Sequence, residues 1–105
     1  ERRRAHLYGQ KQELTITVTG GEGSATFHEY GYLNRIYIDA PTETADYRYL
    51  IADSANRVID TSPGLLSGDQ LIKKHEQVYG QHTFWITNSD EDGTFNVTLW
   101  TDPNG

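Results

Sequence analysis

Cysteine is absent from the 105-residue chain. That absence removes disulfide frameworks, thiolate zinc sites and cysteine nucleophiles, and it leaves reducing and oxidising compartments both open. No apolar run approaches the length of about 18 residues that a membrane helix needs, and no apolar core follows the N-terminal arginines. The sequence therefore reads as soluble, with neither a span nor a secretory signal. No Gly-x-Ser-x-Gly elbow occurs, and Ser24, Ser54, Ser62, Ser67 and Ser89 all stand in turn-like contexts where serine needs no catalytic explanation. Gly20-Gly21-Glu22-Gly23-Ser24 lacks the lysine of a phosphate loop and is followed by the β-like stretch Ala25–Tyr30, so it reads as a hairpin turn.

Positive charge is scarce outside the N-terminus. The formal net charge is −6, yet Arg2, Arg3, Arg4 and Lys11 face only Glu1 in the first twelve residues. An acidic body argues against a nucleic-acid-binding globule, because phosphate contact needs a basic face. Residues 1–12 carry no periodicity and read as a flexible basic arm, with Leu7 and Tyr8 as its apolar pair, leaving 13–105 as a single domain. Arginine suits a docking arm, since its planar fork binds carboxylates bidentately and stacks on aromatics.

What the chain has in quantity is period-two alternation. Leu14, Ile16 and Val18 alternate with threonines, Ile36 and Ile38 flank Tyr37, Phe84 and Ile86 flank Trp85, and Phe95, Val97 and Leu99 alternate with polar residues up to Trp100. Each run predicts a half-buried strand, and together these residues predict one shared core. Gly31 marks a strand break, and Ala40–Thr44 a loop. Ala45–Thr61 predicts a hairpin looped at Asp53–Asn56, with Ile51 opposite Val58 and Tyr49 opposite Asp60, and with Leu50 meeting Ile59 on the other face. Both faces of that hairpin are then apolar, which calls for a second cover from another segment or another subunit. Asp69–Tyr79 departs from period two: Leu71, Ile72, His75, Val78 and Tyr79 fit a short helix capped at Ser67 and stopped at Gly80, favoured over an irregular strand. The sum is an all-β antiparallel sandwich or barrel of about seven strands, immunoglobulin-like in architecture, with one short helix at 69–79.

Metal and cofactor signals are weak. His28-Glu29 would point to opposite faces of a strand, and Asp90-Glu91-Asp92-Gly93 opens like a calcium loop but lacks the closing glutamate. No cofactor or catalytic residue is assigned. Trp85 and Trp100 fall on the outward side of a final hairpin, roughly 13 Å apart. Beside a second core layer, a protein contact and a sugar platform are the readings of such a pair.

The runs Tyr47–Asp53, Arg57–Asp60, Gly80–Asn88 and Asp92–Leu99 together resemble the small β-sandwich accessory proteins of tailed bacteriophage virions, capsid decoration and tail-associated domains among them. The resemblance implies a viral structural protein without catalytic residues, made in the host cytoplasm, located in the virion, and bound in many copies to a major capsid or tail protein. On that reading the docking residues are Arg2, Arg3, Arg4, Leu7, Tyr8, Leu50, Ile59, Trp85 and Trp100, and homo-oligomers are expected. The alternative is a carbohydrate-binding or adhesin module.

Overall fold

The computed structural model describes residues 10–102, and every regular element within them is a strand. These are β1 (Gln10–Val18), β2 (Gly23–Asp39), β3 (Asp46–Asp53), β4 (Val58–Thr61), β5 (Leu66–Ser67), β6 (Gln70–Thr87) and β7 (Gly93–Asp102). All pairings are antiparallel, and they build one seven-stranded sheet in the order β1-β7-β2-β6-β3-β4, with β5 attached to β3. The all-β antiparallel architecture is the one the alternation predicts. The arm residues Arg2, Arg3, Arg4, Leu7 and Tyr8 lie outside the described residues, whereas residues 10–12, assigned to the arm by sequence, form the start of β1.

The sheet is organised by β2 and β6, which stay paired from Gly23–Ile86 to Ile38–Gln70. The first half of β2 and the second half of β6 form one layer with β3 and β4; their other halves form a second layer with β7 and β1. The ribbon passes between the layers around Gly31 and Gly80, which have φ of 128° and 82° and stand on either side of the Tyr30–Tyr79 pair in the register. Gly31 therefore does not end a strand: it lets a single strand serve both layers. The layers face each other, since the Tyr47 ring of β3 meets the Phe95 ring of β7 edge-on at 5.0 Å although two strands separate them in the sheet.

Between the layers lies one core. Leu14, Ile16, Val18, Ile36, Ile38, Phe84, Ile86, Phe95, Val97 and Leu99 all belong to it, as the alternation predicts, joined by Phe27, Leu33, Tyr47, Tyr49, Ile51 and Val78. Buried hydroxyls are satisfied: Tyr47 donates to the Gly68 carbonyl at 2.5 Å, and Tyr49, stacked on Phe84, donates to Asp60 Oδ2 at 2.9 Å. Asp60 also accepts from Lys74 Nζ at 2.9 Å, which clasps β4 to the other layer. At the β1–β2 turn a Cβ on Gly23 would stand 2.2 Å from the Thr17 carbonyl oxygen, so only glycine fits there.

Two sequence expectations fail, each for a physical reason. The segment 69–79 is not a helix but the first half of β6. Ile72, Lys74, Glu76 and Val78 turn inward while Leu71, Lys73, His75, Gln77 and Tyr79 turn outward, and the ladder to β2 outweighs a local pattern created by the adjacent pair Leu71-Ile72. The central hairpin is offset from the predicted register, with Ile51 opposite Asp60 and Ala52 opposite Val58. The loop differs from the predicted Asp53–Asn56: the Asp53 N–H donates to the Arg57 carbonyl at 2.9 Å, Asp53 Oδ1 accepts the N–H groups of Ala55 and Arg57, both at 2.9 Å, and Asn56 adopts φ 64°, the left-handed position of a three-residue loop. The Arg57 amide is the main reason that the Asp53 carboxyl titrates below its usual range. An irregularity next to Ile51 then turns Ile59 toward the core, so Leu50 and Ile59 do not share an outer face.

Val97→Asp should abolish folding, because it buries an unpaired carboxylate at a site 1% exposed, a cost of several kcal/mol against a total stability of about 5–15. The far-UV spectrum should become that of an unfolded chain; a wild-type spectrum would refute the core assignment. A second expectation concerns alkaline pH. Burial, before the neighbouring carboxylates, holds the hydroxyls of Tyr47 and Tyr49 well above the ordinary tyrosine range. A group whose folded value is raised contributes fully below its unfolded value, about 10, and loses that contribution as the pH climbs beyond it. The denaturant midpoint should therefore drop between about pH 9 and about pH 11.5, less steeply in Tyr49→Phe. A flat profile would refute it.

Candidate functional site

Inward side chains are committed to the core, so the outward face of the β2–β6 ribbon is where the described chain offers binding chemistry. At the bend this face carries aromatic rings in sequence across two strands. His28 and Tyr30 lie 5.9 Å apart between centroids, Tyr30 and its cross-strand partner Tyr79 lie 6.4 Å apart, and Tyr32 stacks on His75 at 4.6 Å with planes 15° apart. Tyr30 and Tyr79 are each 65% exposed. Amides flank them: Gln77 Nε2 donates to the Tyr79 hydroxyl at 2.7 Å, and Gln81 pairs with His28 across the ladder. Exposed tyrosine pairs with an apolar body and a polar tip are the usual contact chemistry of recognition surfaces.

Sequence reasoning missed this stripe. Its signal is the outward set His28, Tyr30, Tyr32 at every second position, matched by His75, Gln77, Tyr79, Gln81 on β6. The second half of that signal was hidden while 69–79 read as a helix.

The tryptophans sit elsewhere. β6 and β7 do not form a hairpin, because β2 lies between them. Trp85 pairs with Ser24 and Leu50 in the layer holding β3, while Trp100 pairs with Lys11 and Arg35 in the layer holding β1. Both are half-buried and outward, but on different layers, so the expected spacing along one ribbon does not exist. Leu50 is half-buried beside Trp85, and Ile59 packs against the core. Trp100 is the centre of a transverse row, Lys11–Trp100–Arg35–Lys73, one residue from each of four strands. The Arg35 guanidinium lies 4.7 Å from the Trp100 ring centroid.

The other pole of the molecule is acidic and cross-tied. Asp92 Oδ1 accepts the Gly20 N–H at 3.1 Å, Asp90 Oδ1 accepts the Asp46 N–H at 2.9 Å, and Glu91 accepts the Thr42 hydroxyl at 2.9 Å and 3.0 Å. Asp69 accepts the Ala40 N–H at 2.9 Å and the Tyr37 hydroxyl at 3.2 Å, and this last bond is the leading reason that Tyr37 ionises above its ordinary range. The calcium-like stretch at 90–92 is thus a set of loop ties. Among the described residues no group of three or more His, Cys, Asp or Glu side chains is arranged to hold a metal. Near the bend, Glu29 is buried and accepts the Thr101 hydroxyl at 3.2 Å, and His82 is buried against Phe27 at 5.5 Å. His28 and Glu29 do face opposite ways, as the strand pattern requires.

Neither a protein-family model nor a curated protein matches the chain. Solved structures give distant likenesses. A chain of infectious bursal disease virus, Gx strain, aligns with TM-score 0.41 and 7% identity over 94% of this chain and 32% of that one. The carbohydrate-binding module CBM36, solved in complex with calcium and xylotriose, aligns with TM-score 0.38 and 7% identity over 87% and 84% of the two chains. The chain thus spans about a third of the viral chain it matches. Both likenesses concern β-rich architecture alone. Among the described residues no helix is long and apolar enough to cross a membrane.

Because the carboxylates at 90–92 are already tied to backbone N–H groups and hydroxyls, millimolar calcium should leave the melting temperature of the protein unchanged. A rise of several degrees, reversed by a chelator, would show that the loop ties yield to an ion.

Proposed function

We propose that the protein is a non-enzymatic docking module of a larger assembly, of the kind found among virion accessory and capsid decoration proteins, and that it binds a structural protein through the outward aromatic stripe. The observation that carries this reading is the Tyr30–Tyr79 pair, two large side chains 65% exposed and continuous with further rings on the same ribbon. Burying such rings against a partner releases apolar surface from water, at about 25 cal/mol per Å², while their hydroxyls keep polar partners. Several titratable groups support it too. Glu29, Asp60 and His82 are held in structural contacts within the layers, and Asp69, Asp90, Glu91 and Asp92 at the acidic pole are occupied with loop ties. The resemblance of the 47–60 and 80–99 runs to virion accessory proteins points the same way.

A second reading, carbohydrate binding, is favoured by one feature, the amides of Gln77 and Gln81 beside exposed rings. The double variant Tyr30→Ser/Tyr79→Ser separates these readings. It should melt within a few degrees of wild type, since both side chains are outward, and it should lose capture of a structural protein from assembled particles by a photo-crosslinker at position 77. Retained capture would sink the docking role of the stripe. A glycan-array signal that disappears in the same variant would decide for the sugar.

A further inference from the structure

The molecule separates its charge along its length. At the loop pole, segments 19–22, 39–46, 67–69 and 88–92 contain carboxylates and no lysine or arginine. Several of these acids are tied internally, but Glu22, Asp39 and Glu43 are exposed and take part in no hydrogen bond or ion pair among the described side chains. Toward the opposite end, the row Lys11–Trp100–Arg35–Lys73 presents cations on the outer face of the layer that holds β1.

Of the three basic residues elsewhere among the described residues, Arg48 stands exposed opposite Thr87 and the other two are paired. Arg57 pairs with Asp53 at 3.1 Å and Lys74 with Asp60 at 2.9 Å. In the row itself, Lys11 reaches Glu13 at 3.6 Å with both side chains exposed, a contact of little energy, and Asp102 beyond Trp100 is already engaged. Arg35 and Lys73 form no ion pair among the described residues. With its guanidinium carbon 4.7 Å from the Trp100 ring centroid, Arg35 is held by the ring and still has N–H donors for a carboxylate, and less side-chain freedom is lost on binding than for a free arginine.

We propose that this cationic row docks the acidic loop pole of a second copy of the chain, head to tail. The occupant follows from charge complementarity: the row needs carboxylates on a protruding surface, and the chain itself carries such a surface at its other end. Because the two surfaces differ, the contact is heterologous, and repetition gives a ring or a filament rather than a closed two-fold dimer. The inference rests on the reading of the chain as a module of an assembly, but on different side chains from the aromatic stripe.

Sedimentation velocity on the whole chain tests it, with increasing protein at about 0.02 M and about 0.5 M salt, where screening lengths differ several-fold. At low salt the average mass should rise above the 11.9 kDa monomer, and high salt should return it. Arg35→Glu/Lys73→Glu should stay monomeric, and so should Glu22→Lys/Glu43→Lys, each with a wild-type melting profile. Mixing the two reversed variants should restore association, because every contact regains opposite charges. A wild-type monomer at low salt and high concentration overturns the proposal, as does association that survives Arg35→Glu/Lys73→Glu or a mixture that does not recover. Should the monomer instead bind a single-stranded oligonucleotide through Arg35 and Lys73, the row belongs to nucleic acid and the proposal falls. The Tyr30→Ser/Tyr79→Ser variant should still self-associate, and the Arg35→Glu/Lys73→Glu variant should still be captured by the partner, so failure of one reading is distinct from failure of the other.

Discussion

The pairing of β2 with β6 is the constraint on which the rest of the structure depends. Two strands of 17 and 18 residues stay in ladder contact across both layers, so each layer is templated on one half of the same ribbon. A strand pair this long cannot bury one flat face by itself; it must fold over, and the positive φ angles of Gly31 and Gly80 let it do so without steric strain. Once the ribbon is bent, β7 and β1 complete one layer and β3 and β4 the other, and their inward alternating residues meet. Cross-layer contacts, among them Tyr47 with Phe95, Lys74 with Asp60 and Thr101 with Glu29, then lock the fold at separate points.

Polar chemistry within this frame serves closure. Asp60 accepts from both Tyr49 and Lys74, so neither layer can shift without stranding a charge or a hydroxyl in a dry place. Asp90, Glu91, Asp92 and Asp69 hold four loops to one another through backbone N–H groups and hydroxyls. Carboxylates suit this use because each oxygen accepts more than one hydrogen bond and charge strengthens the bond. A cluster that looks like a cation site from its sequence can therefore be a fully employed tie point.

How much of this was legible in the sequence depends on whether the deciding contact was local. The core positions in β1, β6 and β7 were, because period-two alternation needs no knowledge of the partner strand. The bend was not: Gly31 looks like a terminator unless Gly80 is known to stand beside it, forty-nine residues on. The strand at 69–79 was misread because Leu71 is outward and Lys74 inward, a reversal that makes sense only with Asp60 waiting inside. The hairpin register slipped because the loop is set by the Asp53 carboxylate closing on Arg57, a side-chain contact that strand pattern ignores. The tryptophan spacing failed for a topological reason, since consecutive strands β6 and β7 are separated by β2. The aromatic stripe and the cationic row are both cross-strand objects, and a cross-strand object becomes visible only with the register.

Where the molecule protects itself also bears on where it is used. A sheet with open ends exposes backbone donors and acceptors to stray pairing. Here one edge, β4, has only four residues, and the other, β1, carries the charges of Lys11 and Glu13 among threonines on its outward side. Both are devices that discourage strand addition. The outward face of the β2–β6 ribbon has no such protection at its bend: tyrosines stand exposed where the threonine that fills outward positions of β1 would have served solubility better. Selection that guards the edges but leaves rings on the face is explained by a contact made side chain to side chain. A partner that lies on the ribbon face leaves the backbone ladder untouched, and the rigid pairing beneath holds the rings and the Arg35 fork in place before the partner arrives.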